Sequence, residues 1–372
     1  MGSVANEESA IKQFQSLMEE VDEPLKTAYE TVHQGYPRET LVRFLKARDW
    51  NVAIAHKMLI DSLEWRMQND INSILTKPIV PADLYRAVRD TQLVGLSGFT
   101  REGHPVIAIG LGLSTYDKAS VNYYVQSHIQ MNEYRDRVVL PYATKKYGRY
   151  IGTCVKVLDM TGLKLSALNQ LKLLTVISTI DDLNYPEKTE TYYIVNPPRI
   201  FSACWKVSTY LGSFLFSSIR YLNHKTVKFL EWLQVVKPLL QERTRRKIQV
   251  LHGCPKDELF KIMDYSSLPH FCRGEGSGSS SGSDNGTVDD CFSLDHTFHQ
   301  QLYNYIKQQA LLMDSSPVKQ GSVHVTFLEP EPDDAEIAQT IESEIHKLGE
   351  NKRGLVSMMS GLKVNGSWKG WF

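Results

Sequence analysis

The sequence predicts an α/β fold in which a mostly parallel sheet follows a small all-helical N-terminal subdomain and precedes a flexible tail. Three observations carry this reading. Apolar residues recur at helical spacing through residues 1–75. From about Tyr85 onward, short apolar runs of strand length alternate with helical stretches, the pattern of a parallel sheet with crossover helices. Past Arg273 the composition switches abruptly to Gly and Ser.

In the N-terminal subdomain, Pro37 stands just ahead of Thr40-Leu41-Val42-Arg43-Phe44-Leu45-Lys46-Ala47, whose apolar positions share one helical face. Asn51 to Trp65 repeats apolar residues three and four apart. So small a bundle buries little alone and is expected to pack on the α/β region C-terminal to it. Between Leu93–Leu96 and Val106–Ile109, the stretch Arg101-Glu102-Gly103-His104-Pro105 reads as a hairpin connection. A long helix is expected from Val121 to Tyr147, with Pro141 as a potential kink. A core strand, Cys154–Asp159, comes next, then a helix from Ser166 to about Asp182. Tyr192–Asn196 reads as a buried strand, Ile200–Lys206 as a helix start, and Lys247 as the start of another strand. The resulting domain bounds are 1–75 helical, 80–273 α/β, 274–290 a Gly/Ser linker, and 291–372 a partly helical tail. The tail holds a helix near Phe298–Leu312, an acidic stretch Asp333–Leu348, and an aromatic-basic end, Trp368–Phe372.

Composition excludes several classes of function. Lys+Arg and Asp+Glu are equal at 42 each, which argues against non-specific nucleic-acid binding. The five cysteines are scattered with no CxxC spacing, so neither a zinc site nor a disulfide framework is indicated and a reducing compartment fits. Glu7, Glu8 and Lys12 stand where a secretory signal needs an apolar run. No segment reaches the roughly 18–20 apolar residues of a membrane span. Catalytic fingerprints fail as well. Gly110-Leu111-Gly112 lacks a third glycine, and Gly278-Ser279-Ser280-Ser281-Gly282 lies in the linker rather than at a strand–helix elbow. Asp181-Asp182 is a carboxylate pair with a solvated helix end as the competing reading. No enzyme activity, cofactor or metal is expected.

What remains is charge beside an apolar inventory. Glu187 and Lys188 precede one buried strand, and Thr244 and Lys247 precede another. An ammonium and a hydroxyl engage phosphate or polyol groups, and a carboxylate accepts from ring hydroxyls. Arg243, Arg245, Arg246 and Lys247 read equally as a solvated strand edge.

Several ordered motifs resemble one family. They are Leu41-Val42-Arg43-Phe44-Leu45-Lys46-Ala47-Arg48, Trp65-Arg66, Arg101-Glu102-Gly103-His104-Pro105-Val106, Leu158-Asp159-Met160-Thr161-Gly162-Leu163, Tyr185-Pro186-Glu187-Lys188, Tyr193-Ile194-Val195-Asn196 and Leu268-Pro269. Over roughly residues 35–273 the chain is similar to the CRAL-TRIO family, and within it to phosphatidylinositol/phosphatidylcholine transfer proteins of the yeast secretory type and their plant relatives. The resemblance implies a CRAL-TRIO lipid-binding bowl holding one phospholipid, with a mobile helix gating its mouth. It implies headgroup contacts from Arg48, Glu187, Lys188, Thr244 and Lys247. Asp49 departs from the pattern, which often has a second basic residue there. The resemblance further implies a cytoplasmic monomer that touches Golgi, endosomal or plasma membrane transiently, with phosphatidylinositol or phosphatidylcholine as ligand and no nucleic-acid partner. A different class of function stays open: an adaptor that senses another hydrophobic ligand and recruits partners through the tail.

Val207–Gln234 has no counterpart in the family pattern, which passes directly from Lys206 to Val235. The segment reads as an amphipathic insertion, as an extra covering helix, or as a retained intron. The intron is the favoured reading, because Val207-Ser208 is encodable by GTAAGT and Leu233-Gln234 by TTGCAG. The resemblance puts the gate here, so the segment is expected to slow transfer.

Overall fold

The computed structural model of the chain describes residues 2–163, 170–198, 242–273 and 290–313. The expected helix start at Ile200–Lys206, the segment Val207–Gln234, the run Gly274–Gly286, and the tail stretches Asp333–Leu348 and Trp368–Phe372 lie outside the described residues. The N-terminal subdomain consists of α1 (Gly2–Glu19), α2 (Glu23–His33), α3 (Pro37–Ala47) and α4 (Val52–Gln68). Its core joins Phe14, Leu41, Phe44, Leu45, Leu59 and Leu63. The break between α3 and α4 is local chemistry. Asp49 and Trp50 both take positive φ, at 50° and 63°, and the Asn51 side chain accepts the Ile54 N–H at 3.2 Å as an N-cap. An Asp tolerates the left-handed conformation better than a long basic residue does, which accounts for Asp49 at this position. The bundle is not self-contained. α4 continues to Trp65, which lies in the main core with Ile71, Ile74 and Val88.

Next come α5 (Ala82–Thr91), the hairpin β1 (Val94–Phe99) and β2 (Pro105–Gly110), and then α6 (Val121–Tyr134). At the hairpin, the Thr100 N–H donates to His104 O and the Gly103 N–H donates to Thr100 O. Gly103 takes φ 90° against the Tyr147 ring, so this turn requires glycine. The long helix expected from Val121 to Tyr147 is interrupted. A π-helical turn, Arg135–Val139, separates α6 from α7 (Leu140–Tyr147). Pro141 has no N–H to offer the Arg137 carbonyl, and the wider turn absorbs that missing bond.

β3 (Cys154–Asp159), α8 (Leu171–Asn184), β4 (Thr189–Val195), the short helix α9 (Glu242–Arg246) and β5 (Ile248–Val250) complete the sheet. Its order is β1-β2-β3-β4-β5, with β1 antiparallel to β2 and the remaining pairs parallel. The expected α/β class with a mostly parallel sheet is therefore present. The basic run expected to lead straight into a strand instead forms α9, and the strand starts at Ile248.

The two faces of the sheet differ. Val106, Val155, Val157 and Val195 are buried against Leu259 of α10 (Pro255–Leu259) and against Met263 and Leu268. On the opposite face, Val94, Leu96, Ile107, Ile109, Leu158 and Tyr192 are only half-buried. After the linker the chain returns. Cys291 and Phe292 pack on Ala108, and α11 (Thr297–Leu312) buries Phe298, Leu302 and Ile306 in the core formed with Trp65 and Ile129. Residues whose composition marks the start of a tail therefore share the core of the α/β layer.

That return depends on Gly95. A Cβ there would stand 1.8 Å from the Cys291 carbonyl oxygen and 2.7 Å from its carbon, both backbone atoms. Gly95→Ala is expected to undock the segment 290–313. Limited proteolysis should then cleave within that segment in the variant while sparing it in wild type, and equal protection in both proteins would contradict this packing.

Candidate functional site

Three carboxylates organise this region: Glu133 and Asp136, which sequence reasoning did not single out, and Asp181, which it weighed only as half of a carboxylate pair. Glu133, the penultimate residue of α6, is buried and accepts from both terminal nitrogens of Arg66 in α4, at 2.7 and 2.8 Å. Arg137 of the π turn pairs with its other side, and the Tyr185 hydroxyl donates to Oε1 at 2.7 Å. Burial pushes this carboxyl up, but Arg66, Arg137 and the hydrogen bonds prevail and bring it down to about 2. Asp136 accepts from Arg135 Nε at 2.7 Å and pairs with the Lys188 ammonium at 3.1 Å. Burial opposes its charge too, yet Arg135 and Lys188 hold it well below the ordinary carboxylate value. Asp181 of α8 accepts from Asn132 at 2.7 Å and pairs with His128 Nε2 at 2.7 Å, with the Lys156 ammonium 3.6 Å away. The carboxylate read as half of a solvated pair is therefore partnered inward.

These pairs hold the turn Tyr185–Lys188. Tyr185 is tied to Glu133, the Pro186 carbonyl receives Arg43 Nη1 at 3.5 Å, and Lys188 is tied to Asp136. Glu187 is less buried than its neighbours and takes φ 58°. The Lys247 ammonium donates to Glu187 Oε2 at 2.6 Å and to the Thr189 carbonyl at 2.8 Å. Arg243 Nε lies 3.7 Å from Glu187 Oε1, and its Nη1 donates to the Lys46 carbonyl at 2.8 Å. A turn bond from Lys247 N to Thr244 O, at 3.1 Å, places Lys247 at the mouth of β5.

Of the residues expected to contact a headgroup, Glu187, Lys188, Thr244 and Lys247 line one pocket, together with Arg135 and Lys156. Arg48 stands behind its rim. Its guanidinium donates to the carbonyl of Ala47, which does line the pocket. Burial and the neighbouring Arg243 lower the Arg48 pKa, against the pull of Asp182 and Asp49. Lys188 is drawn inward. Burial and Arg43 push its ammonium down to about 7, and Asp136, which is shared with Arg135, offsets this only in part. Asp182 also lines the pocket, and burial and Asp181 push it up to about 7 against the pull of Arg243, Lys156 and Arg48.

Among the described residues, Lys247 and Arg135 both keep unused hydrogen-bonding capacity. An ammonium carries three N–H groups, and Lys247 commits two of them to Glu187 and Thr189. Arg135 is buried, lines the pocket, and has an Nη2 with no hydrogen-bond partner among the described residues. An incoming anion can take both. Lys156 connects this polar end to the half-buried sheet face, because it pairs in register with Ile107 on β2 and Tyr192 on β4. The pocket thus offers cationic donors at one end of an apolar surface.

Residues 10–61 match the CRAL/TRIO N-terminal domain and residues 89–231 match the CRAL/TRIO domain. The chain is 26% identical over 248 residues to phosphatidylinositol/phosphatidylcholine transfer protein SFH9 of Arabidopsis thaliana, covering 65% of this chain and 37% of that protein. It is 25% identical over 268 residues to the SEC14 cytosolic factor of Eremothecium gossypii, covering 69% and 75% respectively. The Arabidopsis relatives are longer, and the chain spans 37–44% of the lengths of SFH9 and SFH12. Among solved structures, the crystal structure of Sfh5 superposes with a TM-score of 0.50 over 82% of this chain and 98% of that one, at 17% identity. That likeness concerns the fold.

Two measurements test this electrostatic reading. Arg66→Met leaves the Glu133 carboxylate buried with one cation fewer, and it is expected to destabilise the protein by about 3–5 kcal/mol in urea unfolding. An unchanged midpoint would exclude the network as a structural keystone. The raised pKa of Asp182 means that the folded chain holds a proton the unfolded chain has already released, so stability is lost as pH rises from 3.8 to about 7. Asp182→Asn removes that loss. The variant should gain about 1–2 kcal/mol relative to wild type between pH 5 and pH 8, whereas a pH-independent difference would contradict the shift.

Proposed function

This chain belongs to the CRAL-TRIO family, and from that premise we propose that it binds a single phospholipid, phosphatidylinositol or phosphatidylcholine, and carries it between membranes. The observation that carries the reading is the meeting of available cationic donors, at Lys247 and Arg135, with a half-buried apolar sheet face. Relatives named as phosphatidylinositol/phosphatidylcholine transfer proteins support the choice of ligand.

Acyl chains lie on the apolar face, where each buried methylene contributes about 0.8 kcal/mol, so the tails dominate retention. The phosphate of the headgroup takes the third N–H of Lys247 and the free Nη2 of Arg135. As it does so it competes with Glu187 for Lys247 and Arg243, which frees that carboxylate to accept from inositol hydroxyls. Lys188, with its pKa lowered to about 7, gains charge when an anion arrives and so adds to phosphate affinity. Headgroup identity follows from these polar groups, because a lipid that fails to pair them leaves buried donors unsatisfied. The chain acts without catalysis, as a cytoplasmic monomer that touches Golgi, endosomal or plasma membrane transiently. Among the described residues no helix is long and apolar enough to cross a membrane.

Native mass spectrometry of the purified full chain should show one co-purified phosphatidylinositol or phosphatidylcholine, and a different hydrophobe would overturn the ligand. Lys247→Ala should lower phosphatidylinositol loading at least about tenfold, equivalent to about 1.4 kcal/mol, while sparing phosphatidylcholine. An equal fall for both lipids would remove Lys247 from headgroup selection.

A further inference from the structure

On the face of the sheet away from this pocket, His270, Asp290 and Cys291 bring an imidazole, a carboxylate and a thiol to one point. Cys291 Sγ is 3.4 Å from His270 Nδ1, Asp290 Oδ1 is 3.2 Å from the same nitrogen, and all three ligand atoms lie within 4.8 Å of one another. A single proton does not satisfy this arrangement. If Nδ1 carries hydrogen it donates to Asp290 and leaves the thiol without an acceptor. If it does not, it accepts from the thiol but turns a lone pair toward the carboxylate. A catalytic relay is excluded on the same ground, because it needs the acid and the nucleophile on opposite ring nitrogens.

We propose that these three side chains hold one borderline divalent cation of the zinc type, which staples the returning segment 290–313 to the turn His270–Cys272. Metal–ligand bonds of about 2.0–2.3 Å at tetrahedral angles place neighbouring ligand atoms about 3.3–3.6 Å apart. The two separations from His270 Nδ1, 3.4 and 3.2 Å, sit close to that range. The mixed nitrogen, sulfur and oxygen set suits zinc or cobalt and disfavours magnesium and calcium, which take oxygen ligands. Supporting bonds orient the donors. The Phe292 N–H donates to Asp290 Oδ1 at 2.8 Å, and the Cys291 carbonyl pairs with His299 Nε2 at 3.1 Å. Cys291 is buried, while the His270 and Asp290 side chains are 31% and 44% exposed, so the fourth position opens to water. On binding, the thiol proton passes to solvent and no electron is transferred. The cation joins residues on either side of the 274–289 linker and so confines the chain's return to one docking position.

The test uses the full chain, freed of metal with a chelator and titrated with cobalt(II). One equivalent should bind with tetrahedral d–d absorption and a thiolate-to-cobalt charge-transfer band, and zinc should displace it. His270→Ala and Cys291→Ser should each weaken cobalt binding at least about tenfold, whereas Cys254→Ser should leave it unchanged. Circular dichroism checks that each variant is folded. If Cys291→Ser does not fold, Asp290→Asn, whose side chain is the most exposed of the three, replaces it with the same expected loss. Absence of the charge-transfer band in wild type, its persistence in folded Cys291→Ser or unweakened binding in folded Asp290→Asn, or its loss in Cys254→Ser would overturn the site.

Discussion

The Glu133 carboxylate, enclosed by Arg66, Arg137 and Tyr185, couples the N-terminal bundle to the turn Tyr185–Lys188 that lines the pocket. Arg66 comes from the last turn of α4, Arg137 from the π turn, and Tyr185 from the end of α8. A single ionised group thus fixes three elements that share little other polar contact. An ion pair this buried contributes little to net stability relative to an apolar substitute, since desolvation cancels most of the attraction. Its consequence is positional. With Tyr185 held on Glu133 and Lys188 on Asp136, the intervening Glu187 is left at the pocket with a left-handed backbone. The site residues are aimed by their neighbours more than by their own secondary structure.

The π turn serves the same end. The turn carries Arg137, which pairs with Glu133, and the adjacent Arg135 and Asp136, of which Asp136 pairs with Lys188. Pro141 makes that widening inexpensive, since it has no N–H to contribute to a regular helix. The irregularity legible in the sequence at Pro141 thus falls in the stretch that carries Arg135, a residue that lines the pocket and whose buried Nη2 has no hydrogen-bond partner among the described residues.

Short-range chemistry was what the sequence made legible. The hairpin around Gly103, the strands at Cys154 and Tyr192, the bundle helices and the helix beginning near Phe298 all arise from periodicity and turn residues whose signals extend over a few positions. Family resemblance, rather than spacing, brought Glu187, Lys188, Thr244 and Lys247 together, and the described pocket contains all four. Glu133, Asp136 and Arg135 escaped notice because nothing local distinguishes a buried charged residue from a solvated one on an amphipathic helix. Their partners lie far away in sequence, Glu133 and Arg66 being 67 positions apart. His270, Asp290 and Cys291 escaped for the same reason, being split by a linker that hides any metal-type spacing. Lys188 was legible as a cation but not in its direction, since only the fold reveals that its ammonium turns toward Asp136.

The Gly/Ser run also conceals where the domain ends. Low-complexity composition marks a break in the chain, and a break in the chain need not be a break in the core. Arg89 of α5 shows why. It is buried with no acidic partner in contact among the described residues, donates to the Val94 carbonyl at 2.6 Å and to Ser127 Oγ at 3.1 Å, and lies 3.4 Å from His299 Nδ1. A guanidinium only donates, so His299 Nδ1 must accept, and its Nε2 therefore carries the hydrogen that reaches the Cys291 carbonyl. Burial and Arg89 push the His299 pKa down to about 2, which keeps the ring neutral and that tautomer in place. The buried cation of α5 thereby dictates the protonation of a residue beyond the linker, and that residue in turn positions the Cys291 backbone against Gly95. Without the returning segment, Arg89 would lose the ring that completes its enclosure. The segment after the linker is therefore part of what allows the α/β layer to bury a charge at its edge.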